Sequence, residues 1–353
     1  MKSPLLQENV TLAPFTTLGV GGPARFFCEA ATESDVQEAV GLARVKSWPL
    51  FVLGGGSNVL ASDSGFPGLV LRVATRGVKA IESDLLAVSA GEDWDSFVQL
   101  SVEKGLAGLE CLSGIPGTVG GTPIQNVGAY GAEVGDTIAS VRVLSRSSGE
   151  IMDLDRQACG FSYRGSIFSG AQQDRFVVLG VTFQLRADPR PRIAYPELMR
   201  FLGEKAASAS LAEVRQAVMQ IRRGKGMILD PTDPESRTAG SFFKNPVLDA
   251  DRCASIEEAA RQLGVLDEAG SMPRFAAGSG CLKIPAAWLI EGAGFRKGFR
   301  KGHVAISSRH ALALVALAGA TAAEVLDLAQ EIRERVEERF GLSLEFEPVL
   351  IGF

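Results

Sequence analysis

The stretch "LSGIPGTVGGTPIQNVGAYG", Leu112 to Gly131, determines how the rest of this sequence is interpreted. It is rich in glycine and carries hardly any charge, which is unusual for a loop exposed to water. Long loops without regular structure are usually functional. We therefore expect this loop to be buried or covered by a ligand.

A second glycine-rich loop, "LGGGSN" from Leu53 to Asn58, ends a strand predicted in "PLFVLGGGSN". Three glycines at the end of a strand allow backbone N–H groups to approach an anion without obstruction. Together the two loops can grip the pyrophosphate and ring system of one large cofactor. By contrast, "GVGGPA" matches the dinucleotide fingerprint only formally, because Pro23 interrupts it and a strand follows. A Rossmann fold is therefore rejected, and no P-loop motif is present.

The bulk composition limits the class of protein. A chain of 353 residues predicts two or three domains, and 46% hydrophobic with 22% charged residues is typical of globular proteins. A net charge of −5 argues against non-specific nucleic-acid binding. The five cysteines form no CxxC pair, which favours reduced thiols in the cytoplasm. No signal peptide is recognised, and the apolar run from Ala311 is about half a membrane span. We expect neither export nor a membrane anchor.

Hydrophobic periodicity predicts an α+β protein. Strands are expected in "ARFFCEA", "PLFVL", "LVLRVAT", "VKAIES", "LLAVSAG", "FVVLGVTFQLR" and "HALALVAL", with a hairpin in "ASVRVLSRSSGEIMDLD". The first helix, in "TESDVQEAVGLARVK", lies between two strands and predicts a βαβ unit. An amphipathic helix is predicted in "DWDSFVQLSVEKG", with Trp94, Phe97 and Val98 on one face. Further helices are predicted after Ser210 and Thr321. Three helix starts carry a cap with a partner three residues later, namely Ser34 with Gln37, Ser210 with Glu213, and Thr321 with Glu324.

The segments that carry candidate residues for proton transfer contain no histidine. Neither His303 nor His310 lies in a glycine-rich loop, so both are assigned no role and a Ser-His-Asp hydrolase is excluded. The remaining candidates are Tyr163 and Arg164 in "FSYRGSIF", Ser241, Lys244 and Asn245 in "AGSFFKNP", and Glu345 and Glu347 in "LEFEPVLIGF".

Six motifs in this order carry a resemblance to a known family: "TTLGVGGPA", "GGGSNVL", "GIPGTVGGTPIQNVGAYG", "SYRGSIF", "AGSFFKNP" and "AAWLIEGAG". Together they resemble the UDP-N-acetylenolpyruvoylglucosamine reductases, which are flavoenzymes of peptidoglycan precursor synthesis. The resemblance covers nearly the whole chain, and "GSFFKNP" and "IPGTVGG" are its most specific parts.

The resemblance implies three domains. Two form an FAD-binding unit of the flavoprotein-oxidase type, residues 1–76 with the tail 341–353 and residues 77–226. The third, residues 227–340, is an α/β substrate-binding domain. The implied reaction is NADPH-dependent reduction of the enolpyruvyl ether of a UDP-sugar to UDP-N-acetylmuramate, through non-covalently bound FAD. The implied protein is a cytoplasmic monomer whose partner is a small molecule, with no nucleic acid, membrane or metal.

The resemblance also implies roles for three catalytic residues. Ser241 matches the family's proton donor, so it needs no histidine to activate it. Arg164 and Glu347 match the arginine and glutamate that stabilise charge on the substrate carboxylate. Glu345 competes with Glu347 for this role, and the spacing to "IG" favours Glu347.

The implied binding residues fall into two sets. FAD is assigned to the two glycine-rich loops, at Gly54, Gly55, Gly56, Ser57, Asn58, Gly114, Ile115, Pro116, Gly117, Gly121, Gln125, Asn126, Gly128 and Ala129. The UDP-sugar is assigned to Tyr163, Tyr195, Arg222, Lys225, Asn245 and Lys283, of which Tyr195 matches a tyrosine that closes over it.

The sequence departs from the family pattern in two places. The C-terminal motif often reads E-V-R-x-I-G, whereas this chain has Pro348 and Val349 and loses the arginine. After "WLI" many members have Asp-Gln, whereas this chain has Glu291 and Gly292. These departures concern substrate contacts rather than the class of reaction.

Two other functions remain open at this point. One is an oxygen-using flavoprotein oxidase. Many members of that class attach FAD covalently through a histidine. The other is a sugar-nucleotide-binding regulator that has lost its flavin. The presence of Ser241, Arg164 and Glu347 together argues against the regulator.

Overall fold

The computed structural model describes residues 6–188, 190–267, 270–278 and 280–353. Residues 1–5 lie outside the described residues. The first predicted domain begins there, and no signal peptide is predicted in that segment. The described chain divides into two compact units. The first comprises residues 6–11, Pro23–Gly56 and Gly65–Ile228, and the second comprises Leu12–Gly22, Ser57–Ser64 and the described residues from Leu229 to Phe353. The three-domain division stays a prediction.

Strands up to residue 90 are β1 (Gln7–Thr11), β2 (Pro23–Ala30), β3 (Leu50–Leu53), β4 (Val59–Ala61), β5 (Phe66–Val73), β6 (Val78–Ala80) and β7 (Leu85–Ser89). Those up to residue 190 are β8 (Gly128–Ala129), β9 (Ala132–Glu133), β10 (Ile138–Ser145), β11 (Ile151–Asp155) and β12 (Phe176–Gln184). The remaining strands are β13 (Thr238–Ser241), β14 (Val247–Leu248), β15 (Phe275–Ala276), β16 (Leu282–Lys283), β17 (Arg300–Lys301), β18 (Val304–Ile306), β19 (Ala313–Ala316) and β20 (Val349–Ile351).

The α-helices are α1 (Glu33–Val45), α2 (Trp94–Glu103), α3 (Pro196–Leu202), α4 (Leu211–Gly224), α5 (Ala250–Gln262), α6 (Ala286–Gly292) and α7 (Ala322–Phe340). The capping boxes predicted at Ser210 and Thr321 are confirmed. The cap predicted at Ser34 is wrong. Thr32 caps α1 instead, because the Asp35 carboxylate accepts from the Thr32 N–H while the Asp35 N–H donates to the Thr32 hydroxyl.

The first unit contains two main sheets. One has the order β1-β2-β5-β3, in which β2 and β3 both run parallel to β5 between them, so the predicted βαβ unit is confirmed. The other is antiparallel with the order β11-β10-β12-β7-β6, and β10 with β11 forms the predicted hairpin. Trp94, Phe97 and Val98 of α2 are buried on one face in the core of this unit, as the sequence predicts.

The second unit is built on the sheet β13-β19-β18-β17, with the smaller sheets β14-β16-β15 and β20-β4. Its core packs α5, α6 and α7 around Phe242 and Phe243, which are both buried. The "GVGGPA" stretch leads into strand β2, which agrees with the rejection of a Rossmann fingerprint there. None of the described helices is long and apolar enough to cross a membrane.

Candidate active site

The two glycine-rich loops meet through their backbones within the first unit, which contains Gly54, Gly55 and Gly56 of the shorter loop. A Cβ atom at Gly55 would lie 2.6 Å from the Cα of Gly117, and one at Gly54 would lie 2.6 Å from the Thr118 hydroxyl. Only glycine allows such an approach. A Cβ at Gly121 would meet nothing within 4 Å, so the loop borders open space there. Accessible backbone beside open space suits a pyrophosphate and a flavin ring, and the residues present therefore fit FAD.

Gly114 fixes the start of the longer loop. Its N–H donates to Asp95 Oδ1 at 2.6 Å, and its carbonyl oxygen accepts from Arg222 Nε at 3.1 Å. Arg215 donates two further hydrogen bonds of 2.6 and 2.8 Å to Asp95. Burial raises the pKa of Asp95, but the hydrogen bonds from Arg215 and Gly114 outweigh it, and the net pKa shift is downward.

Arg222, predicted to contact the substrate, is only 6% exposed. Besides Gly114, its guanidinium donates to the carbonyl oxygen of Met227 at 2.8 Å and hydrogen-bonds the Tyr130 hydroxyl. Burial lowers the pKa of Arg222 and raises that of Tyr130 to about 12. Arg222 therefore holds the loop from within the protein, and a substrate contact stays a prediction.

The Asn126 side chain ties the same loop to the turn that carries Arg164. Its Nδ2 donates to Glu133 Oε2 at 2.7 Å and to the Ser162 carbonyl oxygen at 3.0 Å. Its Oδ1 accepts from the Gly135 N–H at 2.9 Å. Both amide hydrogens are thus used within the protein. A contact between Asn126 and FAD, which stays a prediction, would come from other atoms of this residue.

Arg164 lies in a tight turn in which Ser162 and Gly165 exchange backbone hydrogen bonds of 3.0 and 3.1 Å. Its φ of 51° is in the left-handed region, which costs a non-glycine residue free energy and is common at functional sites. A Cβ at Gly128 would lie 3.3 Å from Arg164 Nη1, and the guanidinium carbon lies 5.7 Å from the Tyr163 ring. The structure therefore places this guanidinium against the glycine-rich loop.

Three of the residues predicted to bind the UDP-sugar surround Tyr130. The rings of Tyr130 and Tyr195 meet edge to face at 5.6 Å, and Lys225 Nζ lies 6.0 Å from the Tyr130 ring. Lys225 Nζ is also 2.6 Å from Glu197 Oε2, and Arg222 hydrogen-bonds the Tyr130 hydroxyl. Glu197 and Tyr130 were not among the predicted site residues.

Ser241 ends strand β13 of the second unit, directly after a bulge. Thr238 pairs with Val315 and Ser241 with Ala313, so β13 contains one extra residue. Gly240 absorbs the bulge with a φ of 75°. The Thr238 hydroxyl donates to the Gly240 carbonyl oxygen at 3.2 Å. Such bulges re-aim the side chain that follows, which here is that of Ser241.

The "TTLGVGG" motif supports the strand that carries Ser241. The Thr17 hydroxyl donates to the Thr238 carbonyl oxygen at 2.7 Å. The Arg237 guanidinium donates to the carbonyl oxygens of Leu18 and Gly19 at 3.4 and 3.2 Å. These contacts give the motif a structural role within the second unit.

Glu347 pairs through its backbone with Phe242, the residue after Ser241, in the second unit. The Glu347 N–H donates to the Phe242 carbonyl oxygen at 3.0 Å, and the Asn58 amide donates to the Glu347 carbonyl oxygen at 3.1 Å. The competing Glu345 is paired with Lys244 at 3.1 Å, and its side chain is 77% exposed. In the backbone pairing Glu347 is opposite Phe242 and Glu345 is opposite Lys244. The catalytic role of Glu347 stays a prediction.

Two further predicted substrate residues lie around helix α6. The Asn245 Oδ1 accepts from the Ala286 N–H at 2.8 Å, at the start of that helix. Lys283 pairs in register with Val247 on one side and Phe275 on the other. Their contacts with a UDP-sugar stay predictions.

The departure at Gly292 has a packing explanation. A Cβ there would lie 3.0 Å from Phe340 Cζ and 3.1 Å from Val265 Cγ1. The aromatic ring of Phe340 therefore takes the space of a side chain at position 292. The structure offers no comparable account of Pro348 and Val349.

The histidines of the described chain are engaged away from the glycine-rich loops. His303 Nδ1 lies 3.1 Å from Glu324 Oε1, and His310 Nδ1 accepts from the Leu312 N–H at 3.2 Å. Within the described ranges, no group of three or more His, Cys, Asp and Glu residues could hold a metal ion.

Comparison with known proteins completes the description of the site. A family profile described as UDP-N-acetylenolpyruvoylglucosamine reductase, C-terminal domain, matches residues 231–351, and an FAD binding domain profile matches residues 24–155. The UDP-N-acetylenolpyruvoylglucosamine reductase of Thermobifida fusca is 47% identical over 351 residues, covering 98% of both chains. This chain belongs to that reductase family.

Other relatives agree with this membership. The UDP-N-acetylenolpyruvoylglucosamine reductase of Pseudomonas aeruginosa is 43% identical over 350 residues and 98% of both chains. The crystal structure of the reductase MurB from Thermus caldophilus superposes with a TM-score of 0.66 at 27% identity, covering 98% of this chain and 100% of the other. The α+β fold and the FAD-dependent oxidoreductase class predicted from the sequence are thereby confirmed.

Within this reductase family member, the predicted residues group by unit. The first unit brings together Arg164, Tyr163, Tyr195, Arg222, Lys225 and the loop residues Gly54, Gly55, Gly56, Gly114, Ile115, Pro116, Gly117, Gly121, Gln125, Asn126, Gly128 and Ala129. The second contains Ser57, Asn58, Ser241, Asn245, Lys283 and Glu347. Sequence reasoning missed Tyr130, Glu133 and Glu197. The sequence indicated them only by position, since each lies in or close to a motif discussed above.

Proposed function

We propose that this chain reduces UDP-N-acetylglucosamine enolpyruvate to UDP-N-acetylmuramate with NADPH, as a step of peptidoglycan precursor synthesis. The observation that carries the proposal is 47% identity over 98% of both chains to a reductase of that name. It is also supported by the bulged strand that ends at Ser241, because the next residue, Phe242, accepts a hydrogen bond from the Glu347 N–H. We also propose that the chain acts as a monomer in the cytoplasm.

The proposed chemistry adds one hydride and one proton across the enolpyruvyl double bond. The two glycine-rich loops would hold FAD, which would supply the hydride for C3 of the enolpyruvyl group, with NADPH as the reductant. Ser241 then donates its hydroxyl proton to C2. A serine hydroxyl suits this role because a strongly basic carbon can take its proton without prior activation of the serine.

Arg164 and Glu347 have the complementary task of stabilising negative charge. As hydride arrives at C3, charge builds on the carboxylate oxygens next to C2. A guanidinium can donate to both oxygens, and the turn that carries Arg164 is closed by two backbone hydrogen bonds. A protonated Glu347 would donate a further hydrogen bond. Preorganised donors of this kind are usually the largest contribution to catalysis.

The binding roles are assigned to the two predicted sets. FAD is held non-covalently by the glycine-rich loops, where the lack of side chains lets backbone N–H groups approach its pyrophosphate. Lys225, Asn245 and Lys283 contact the diphosphate of the UDP-sugar, with Tyr195 over it and Tyr163 and Arg222 close by. The charges of the lysines suit a diphosphate.

The visible spectrum of the purified protein tests the proposal. We expect flavin absorbance that is bleached by NADPH without oxygen and recovers on addition of the enolpyruvyl substrate, with UDP-N-acetylmuramate identified by mass spectrometry. UDP-N-acetylglucosamine, which lacks the double bond, is the control and should not restore the colour. A colourless protein would favour the regulator, and rapid reoxidation by oxygen alone would favour the oxidase.

A further inference from the structure

The ion pair between Lys225 and Glu197 lies in the group of residues assigned to the UDP-sugar. Lys225 is the C-cap residue of α4 and Glu197 lies in the first turn of α3. Their charged atoms are 2.6 Å apart, and the side chains are 29% and 36% exposed. Both side chains are therefore partly accessible to water and to a ligand.

Among the side chains described around the Lys225 ammonium, Glu197 carries the negative charge. The ammonium of Lys225 lies over the ring of Tyr130, which itself hydrogen-bonds Arg222. The Tyr195 hydroxyl is neutral at physiological pH, since burial and the charge of Glu197 raise its pKa. A diphosphate that reaches Lys225 thus meets a carboxylate already bound to the same ammonium.

We propose that Glu197 limits the affinity of this site for a nucleoside diphosphate. Its carboxylate competes with the diphosphate for Lys225 and repels it, so that the bound nucleotide is held less tightly and leaves more readily. The inference rests on the proposed function, in which Lys225 contacts the diphosphate. It adds a residue whose removal strengthens substrate binding, whereas removal of a contact residue weakens it.

A role for Glu197 in orienting Lys225 would predict the opposite change in UDP affinity. If Glu197 served to orient Lys225 toward the diphosphate, its loss would disorder the ammonium and weaken binding. Helix α3 does not depend on this pair, because Leu198 is fully buried against Val214 and Val218 of α4. A variant that breaks the ion pair should therefore keep the local fold.

The test is the affinity of the FAD-loaded enzyme for UDP, measured by titration calorimetry on Glu197→Gln. We expect UDP to bind about 2- to 5-fold more tightly, since partly exposed ion pairs are worth up to roughly 1 kcal/mol. Uridine, which lacks phosphate, should bind with unchanged affinity. The gain for UDP should shrink at high salt, because the interaction is electrostatic.

Matched variants separate the possible failures. Glu204→Gln, an exposed residue in the next helical turn, removes the same charge and should leave UDP affinity unchanged. Lys225→Met should weaken UDP binding and cancel the effect of Glu197→Gln. Unchanged or weaker UDP binding by Glu197→Gln would overturn this inference alone. Unchanged binding by Lys225→Met would overturn the assignment of Lys225 and this inference with it, while leaving the proposed reaction untouched.

Discussion

The Glu347 N–H donates a 3.0 Å hydrogen bond to the carbonyl oxygen of Phe242. Phe242 follows Ser241 directly. This bond therefore holds the backbone of Glu347, which is proposed to stabilise charge, close to that of Ser241, the proposed proton donor. Phe243 and Phe346 extend the same pairing as an isolated bridge, and their rings lie 5.6 Å apart. The two phenylalanines of "GSFFKNP" thus anchor a polar residue to a buried core.

Ser241→Ala should separate the two halves of the reaction. The NADPH-dependent bleaching of the flavin should stay nearly unchanged, because proton donation to C2 comes later. The substrate-dependent recovery should slow by about 10²–10⁴-fold, as expected for loss of a general acid. Stopped-flow absorbance measures both steps on the same sample.

Ser241→Cys is the companion variant, since a thiol also carries a transferable proton and should restore part of the rate. If Ser241 only packs beside the two phenylalanines, alanine would cost little in either step. That result, or a loss confined to the NADPH step, would refute the assignment.

Gly240→Ala should impair the same step by displacing Ser241. The φ of 75° is unfavourable for alanine by about 1–2 kcal/mol, although a Cβ there meets nothing within 4 Å. We expect the substrate-dependent step to slow by roughly 10- to 100-fold, because small displacements of reacting groups are costly.

Gly264→Ala is the matched control for this variant. Gly264 has a φ of 67° and equally open surroundings just after the end of α5, and it does not belong to the strand that carries Ser241. Thermal unfolding should show similar destabilisation for both variants. Equal kinetics in Gly240→Ala and Gly264→Ala would contradict a positioning role for the bulge.

Asn126→Asp should disturb Arg164 without touching it. The new carboxylate would face Glu133 and the Ser162 carbonyl oxygen, replacing two donated hydrogen bonds by repulsion. We expect a loss of about 1.5–3 kcal/mol in the free energy of unfolding and a fall in the rate of substrate reduction. Combining it with Glu133→Gln lets the hydrogen bond form with donor and acceptor exchanged. Failure of the pair to recover any stability would count against the network.

The salt bridge at Asp95 should make stability depend on pH. The pKa of Asp95 is lower in the folded protein than its ordinary value of 3.8. Its contribution is therefore complete above that value and is lost as the pH falls toward the folded pKa. Asp95→Asn should cost about 1–3 kcal/mol at pH 7, and the difference from wild type should narrow below pH 3.8. Urea unfolding across this range measures it, and a difference independent of pH would contradict the prediction.

The flavin should be released by acid or heat. The described histidines lie outside the glycine-rich loops, and burial raises the pKa of Cys111 to about 12, which makes its thiol a poor nucleophile. After precipitation the yellow colour should stay in the supernatant. Colour that remains with the pellet would indicate a covalent bond.

Local features of the fold could be predicted from the sequence. The capping boxes at Ser210 and Thr321 depend only on residues three positions apart, and both form. The error at Ser34 arose because two hydroxyl residues stand close together. Asp35 decides between them, since its carboxylate accepts from the N–H groups of both Ala31 and Thr32.

The site was predictable only in part, for a physical reason. The motifs identify which loops bind and react, and the resemblance assigns their residues. The partners of those residues depend on contacts distant in sequence, such as Asn126 with Ser162 and Lys225 with Glu197. Nothing in the local sequence indicates that the amide of Asn126 is fully used within the protein, or that Lys225 already has a counter-charge.

The backbone contact between Gly55 and Gly117 has a consequence for evolution and design. Neither residue has a side chain that a substitution could shorten, so no change at one position can make room for a side chain at the other. The two positions therefore cannot vary in a correlated way, and methods that find contacts from paired substitutions will miss this contact. Engineering of either loop must keep both glycines and seek its variation elsewhere.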